Sequence, residues 1–99
     1  MRKIVLACMA GLSTSILVSK MREAAKEMGY ECEVNAYPIS NVEKEGGDAD
    51  IILLGPQVRL QLESVKGSVK CPVEVIDMMA YGMMDGKTVV EQVKKTLGD

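Results

Sequence analysis

Cys8 closes a short apolar run, Lys3 to Ala7 (KIVLA), and is followed by Met9, Ala10, Gly11, Leu12, Ser13, Thr14 and Ser15. A cysteine does nucleophilic chemistry as the thiolate, so something must stabilise that anion. The chain contains no histidine, which rules out an imidazole base. If Met9 to Thr14 wraps between a strand and a helix, its successive backbone N–H groups point inward, and the helix N-terminus adds unpaired donors and positive potential. Such a loop cradles an anion, and the same donors would stabilise a thiolate on Cys8. Gly11 would let the backbone approach a phosphate, Ala10 would keep that approach clear, and the hydroxyls of Ser13, Thr14 and Ser15 offer further hydrogen bonds. A cysteine at a strand end is commonly inert packing; the small, hydroxyl-rich segment after it is what favours a role. The nucleotide P-loop pattern GxxxxGK[ST], with its lysine, is missing.

The elements that must position this segment can be read from patterning. KIVLA suits a strand buried on both faces. After it, Ser13, Thr14 and Ser15 are helix-capping types, and Leu17, Met21, Ala24 and Met28 recur at helical spacing until Gly29, a favourable residue just past a helix end. Glu31 to Ala36 (ECEVNA) alternates polar with apolar, as in a strand near a sheet edge, and should end before Pro38. Ile39 to Gly47 reads as a short helix or an irregular connection. Ile51 to Leu54 (IILL) is a third strand, closed by Gly55 and Pro56. In Gln57 to Gly67, Val58, Leu62 and Val65 fit a helix, although Val58, Leu60 and Leu62 also alternate as in a strand; context favours the helix. Pro72 leads into a fourth strand, Val73 to Ile76, with Asp77 capping a turn. From Gly86 a final helix places Val89, Val90, Val93 and Leu97 on one face, with Lys94 and Lys95 near its C-terminus, where the helix dipole favours cations.

Four strands alternating with helices predict a three-layer α/β fold, a parallel sheet in the order 2-1-3-4 with helices on both faces, because right-handed crossovers return each strand parallel to its neighbour. Ligands of such sheets bind beyond the C-terminal strand ends. Cys8 stands there, with Gly55, Pro56 and Gln57 beside it. With 99 residues the chain is expected to form a single domain spanning 1–99. A net charge near −2 and no basic block argue against nucleic acid and anionic membrane surfaces. No run approaches the roughly 20 apolar residues of a membrane span, and MRKIVLACMAG reads as a first strand rather than a signal peptide, so a cytoplasmic location is expected. Cys8, Cys32 and Cys71 are widely spaced and include no CxxC pair, which suggests neither a disulfide framework nor a metal site.

The octet CMAGLSTS resembles the C-x-x-x-x-x-R-[ST] phosphate-binding loop of low-molecular-weight tyrosine phosphatases, but Thr14 stands where that family has its arginine. No Asp-Pro dipeptide, the source of the general acid in those enzymes, occurs either. A guanidinium stabilises a transferring phosphoryl group. A cysteine that can receive phosphate without the machinery for hydrolysis looks like a carrier. CMAGLSTS followed by LVSKMR, ADIILLGPQV, and PVEVIDMMAYGMMDG together closely resemble the enzyme IIB components of the lactose/cellobiose/diacetylchitobiose family of the bacterial phosphoenolpyruvate-dependent sugar phosphotransferase system, over nearly the full chain. Residues 31 to 48 match that pattern weakly. The resemblance implies a phosphatase-like fold and a phosphoryl group carried covalently on Cys8 without another cofactor. It implies a phosphohistidine donor on enzyme IIA, a sugar held by the membrane permease IIC as acceptor, and transient complexes of a monomer docking at the inner face of the membrane. Met9 to Ser15 would hold the phosphate. Two other readings compete: a phosphatase of the related loop type, and a non-catalytic regulatory module binding an anion at the loop.

The remaining candidates have plainer readings. Cys32 is expected to pack in its strand and Cys71 to be incidental. Met78, Met79, Met83 and Met84 read first as core and loop filler, and second as an adaptable interface. Tyr81 follows strand four on the side of Cys8, which allows a place at the rim of a docking face. Gly55-Pro56 reads as turn chemistry, with Gln57 able to hydrogen-bond near a phosphate. Lys20 and Arg22 read as solvated charges.

Overall fold

A computed structural model describes residues 1–8 and 13–99. Four parallel strands form one sheet in the order β2-β1-β3-β4: β1 Arg2–Cys8, β2 Cys32–Pro38, β3 Ile51–Leu54 and β4 Val73–Val75. The helices are α1 Ser13–Glu27, α2 Val42–Glu45, α3 Leu62–Ser68, α4 Met78–Gly82 and α5 Gly86–Leu97. The expected topology is therefore the observed one. Strand periodicity divides the central strand between two cores. Ile4 and Leu6 pack with Leu17, Met21, Val89, Val90 and Val93 under α1 and α5, while Val5 and Ala7 pack with Val42, Val58 and Val65 on the opposite face.

Four local expectations change. β2 runs through Pro38, which pairs with Cys8. Val34, of the same parity as Pro38, turns its carbonyl away from β1 to Arg22, so the missing N–H of the proline falls on the open edge and costs no ladder bond. The segment after β3 is not one helix: a 3-10 stretch, Pro56–Gln61, precedes α3, and Val58 inside it has φ −114° and ψ 18°. Val58 faces the core while Leu60 is 92 % exposed, so the strand-like alternation is not realised and the expected face of Val58, Leu62 and Val65 is the one that packs inward. Asp77 does cap, but the element it opens is the helix α4 rather than a turn, with Asp77 Oδ2 accepting from the Ala80 amide at 3.0 Å. Arg22 is held rather than freely solvated, its Nε and Nη2 donating to the Val34 carbonyl at 3.1 and 2.6 Å.

The far edge is closed in the same way. Gln92 of α5 donates through Nε2 to the outward carbonyl of Val75 at 3.2 Å and to Glu74 Oε1 at 3.0 Å. Both open edges of the sheet thus lose an exposed acceptor to a side chain from the covering helix, which blunts edge-to-edge pairing. Helix ends agree with the patterning. Gly29, at φ +66°, ends α1, with the Tyr30 amide returning to the Ala25 carbonyl at 2.9 Å, and Asp85 caps α5 through the Thr88 amide. Gly86, at the start of α5, lies directly on α1: a Cβ there would collide with the backbone of Lys20 and Met21.

Candidate functional site

Cys8 is the last residue of the central strand, so it sits where the parallel sheet presents its C-terminal ends. It is 6 % exposed, and its thiol donates a long sulfur bond to the Tyr37 carbonyl at 3.9 Å. That contact belongs to the protonated thiol. Immediately after β3, the Gly55 amide donates to the Ala7 carbonyl at 2.9 Å, fixing the next turn against the peptide that links Ala7 to Cys8. The Gly55 carbonyl accepts from the Val58 amide at 3.0 Å, and Pro56 opens the 3-10 stretch, where its absent N–H is not needed.

Gln57 folds back over this turn. Its Nε2 donates to the Tyr81 hydroxyl at 3.3 Å, and its Oε1 lies 3.0 Å from the position a Cβ on Gly55 would take. Tyr81, 9 % exposed, is packed into the α1/α5 core, with Cε2 3.8 Å from that same position. Three segments far apart in sequence therefore meet beside the strand end of Cys8. Tyr37 and the Gln57–Tyr81 bond were not foreseen as parts of the site, since only the sheet order makes them neighbours.

Of the predicted cradle, Met9, Ala10, Gly11 and Leu12 lie outside the described residues, as do the side chains of Ser13 and Thr14. Ser13 begins α1, and Ser15 is exposed in its first turn. A 15-residue helix thus starts five positions after Cys8, with its N-terminus following the strand end. Among the described residues no group of three or more His, Cys, Asp or Glu is placed to hold a metal ion. No described helix is long and apolar enough to cross a membrane.

The other two cysteines differ in their surroundings. Cys32 and Cys71 are half-buried, and desolvation pushes both thiols up from their ordinary value, which favours the unreactive protonated form. Among the described residues that follow the C-terminal strand ends, the exposed large apolar ones are Ile16 on α1, Leu60 after β3, and Met78, Met79 and Met83 on and just after α4. These three methionines do not fill the core, whereas their neighbour Met84 packs partly against it.

Residues 3–92 match the family of lactose/cellobiose-specific IIB subunits of the sugar phosphotransferase system (PTS). The chain belongs to that family. A curated relative, the oligo-beta-mannoside-specific EIIB component of Bacillus subtilis (strain 168), is 45 % identical over 95 residues, covering 93 % of this chain and 92 % of its own. The galactose-specific EIIB component of Lactococcus lactis subsp. cremoris (strain MG1363) is 40 % identical over 95 residues, with 88 % of each chain covered. The lactose-specific IIB domain of Streptococcus pneumoniae superposes with a TM-score of 0.85 over 96 % of both chains at 18 % identity, which shows a shared fold. A PTS IIB component is part of a phosphotransferase.

Proposed function

We propose that this IIB component, a single domain over residues 1–99, carries a phosphoryl group on Cys8. In this reading, a partner IIA supplies it from a phosphohistidine, and a sugar bound by a membrane permease IIC receives it. The observation that carries the reading is the placement of the Cys8 sulfur at the C-terminal end of the central strand, just before the N-terminus of α1, in a chain whose family performs phosphotransfer.

Two in-line displacements account for the cycle. In the first, the Cys8 sulfur, as thiolate, attacks phosphorus; an S–P bond forms as the P–N bond breaks, and the electron pair returns to the imidazole of IIA. In the second, a sugar hydroxyl oxygen attacks the same phosphorus, the S–P bond breaks to regenerate the thiolate, and the hydroxyl proton passes to a base of the permease. The chain's part is positioning and charge stabilisation. Backbone amides of Met9 to Ser15 would hold the phosphoryl oxygens. With Thr14 in place of an arginine and no general acid from an Asp-Pro pair, transfer to water is slow, so the group survives until an acceptor docks.

The partners would meet the apolar positions around Cys8, with Gly55, Pro56 and Gln57 on the contact face and buried Tyr81 behind them. Flexible methionines suit a surface that takes two partners in turn. Such contacts are small and exchangeable, and they would bring the protein to the cytoplasmic face of the membrane through IIC alone. The oligo-beta-mannoside-specific relative and a cellobiose-specific EIIB relative, 39 % identical over 95 residues, favour a beta-linked oligosaccharide, with the galactose-specific relative leaving the sugar itself to experiment.

The test is intact mass after incubation with phosphoenolpyruvate, the two general PTS proteins and a matched IIA. The wild type is expected to gain one phosphoryl group and Cys8→Ser none. An unmodified wild type beside a fully phosphorylated IIA would refute the reading. Steady turnover of an aryl phosphate without partners would instead support the phosphatase alternative, which Thr14→Arg is expected to approach.

A further inference from the structure

Gln57 is exposed, and an exposed glutamine ordinarily samples many rotamers. Here its amide nitrogen is engaged. Nε2 donates to the hydroxyl of buried Tyr81 at 3.3 Å, and Oε1 rests 3.0 Å from where a Gly55 Cβ would stand, a conformation that a side chain at position 55 would obstruct. Gly55 is itself tied by its amide to the Ala7 carbonyl, one peptide from Cys8. Tyr81 is equally constrained, because its amide donates to the Asp77 carbonyl at 2.9 Å within the capped turn of α4 and its ring is packed under α1 and α5.

A primary amide carries two N–H groups. One of those on Gln57 Nε2 is engaged by Tyr81, and no other bond of Nε2 is made among the described residues. We propose that this second N–H is a side-chain donor to an oxygen of the phosphoryl group on Cys8, and that Tyr81 is the positioning residue that aims it. The inference rests on the phosphocarrier reading and adds a donor from outside the Met9 to Ser15 segment. The donor suits a carrier because it is neutral. An arginine at this point would hold a dianionic phosphoryl group by charge and keep it from the next acceptor, whereas an amide contributes one neutral hydrogen bond that is readily given up as the group leaves.

The experiment compares wild type, Gln57→Ala, Tyr81→Phe and the double variant, each phosphorylated by phosphoenolpyruvate, the two general PTS proteins and IIA. The rate of mass gain on Cys8 and the phosphorus NMR shift of the product are read, with thermal midpoints as the control for folding. Each single variant is expected to slow transfer roughly three- to tenfold and to move the phosphorus resonance, with midpoints near that of the wild type. The double variant is expected to be no slower than Gln57→Ala, since on this proposal Tyr81 acts on the phosphoryl group through its bond to Gln57. Wild-type rates and an unmoved resonance in both single variants would overturn the proposal while leaving the carrier reading intact. So would a double variant slowed by the product of the single effects. A wild type that gains no phosphoryl group on Cys8 would overturn both.

Discussion

The two ends of the sheet are built on opposite electrostatic plans. At the N-terminal strand ends, charges are tied to one another: Arg2 pairs with Asp99 through two 2.9 Å bonds and with Asp50 at 3.5 Å, Lys3 with Asp48 at 2.6 Å, and the Tyr30 hydroxyl donates to Asp99 at 2.6 Å. At the C-terminal ends, the groups beside Cys8 among the described residues include a carbonyl, a glycine amide, a glutamine and a tyrosine, with side-chain bonds of 3.3 and 3.9 Å. Short charged bonds clamp one end, while these described bonds at the other are long and neutral. On the proposed carrier reading, the difference teaches that the paired charges and the phosphoryl chemistry occupy opposite poles of a very small sheet. Each can then be altered without the other.

The comparison yields expectations of decreasing size. Cys8→Ser should abolish phosphoryl acceptance while shifting urea stability by only about 1 kcal/mol, the scale of one polar atom at a buried site. A large loss of stability would show that the two poles are not separable. Gly86→Ala should disturb both poles together, because its Cβ would meet the backbone of Lys20 and Met21, which cannot move aside as a side-chain tip can. A loss on the order of 3 kcal/mol in urea denaturation is expected, and an unchanged midpoint would mean that α1 and α5 separate easily. Arg22→Ala and Gln92→Ala should each cost about 1 kcal/mol. They should also promote self-association on light scattering, because each exposes a carbonyl on an open sheet edge. A monodisperse double variant would argue that other features protect the edges.

The smallest effect is on pH. The Arg2 guanidinium, and after it the Tyr30 hydroxyl, hold the Asp99 carboxyl down at about 2, from an ordinary 3.8. Hydrogen bonds from Lys3 and from Thr88 likewise lower Asp48 and Asp85. A carboxyl lowered by folding adds stability that is complete above its unfolded value and is lost as pH falls through the folded value. Melting temperature should therefore fall most between about pH 4 and pH 2, through Asp99 and Asp48 at the charged pole and through the Asp85 cap of α5. Asp99→Asn should flatten that limb slightly while leaving phosphoryl acceptance at neutral pH unchanged. High salt should weaken the same exposed pairs.

How much of this was legible in the sequence depends on the range of the interaction concerned. KIVLA and IILL announced two buried parallel strands, because only a strand covered on both faces tolerates so continuous an apolar run. The strand order came from connection rules, and the helix from Ser13 to Gly29 from capping and spacing. Val58, Leu62 and Val65 were rightly read as the buried face after β3, but the break between a 3-10 stretch and α3 depends on backbone angles at Val58 that residue spacing does not show. Pro38 misled because its cost in a strand depends on which edge its nitrogen faces. The reach of Arg22 and Gln92 to the sheet edges, and the bond from Gln57 to Tyr81, join residues brought close only by the completed fold, so no local pattern encodes them. The place of Cys8 at a strand end was legible because the apolar run that ends there is a local signal, and Gly55 beside it followed from the strand order. The Tyr37 carbonyl and the Gln57–Tyr81 bond did not.

The central claim is that Cys8, and neither Cys32 nor Cys71, takes the phosphoryl group. Phosphorylated protein can be unfolded at neutral pH, alkylated with iodoacetamide and mapped by peptide mass. Cys32 and Cys71 should be alkylated fully, and Cys8 should be blocked in proportion to the phosphoryl group carried. A fully alkylated Cys8 in protein that still carries the phosphoryl group would contradict the account, since the group would then reside on another side chain.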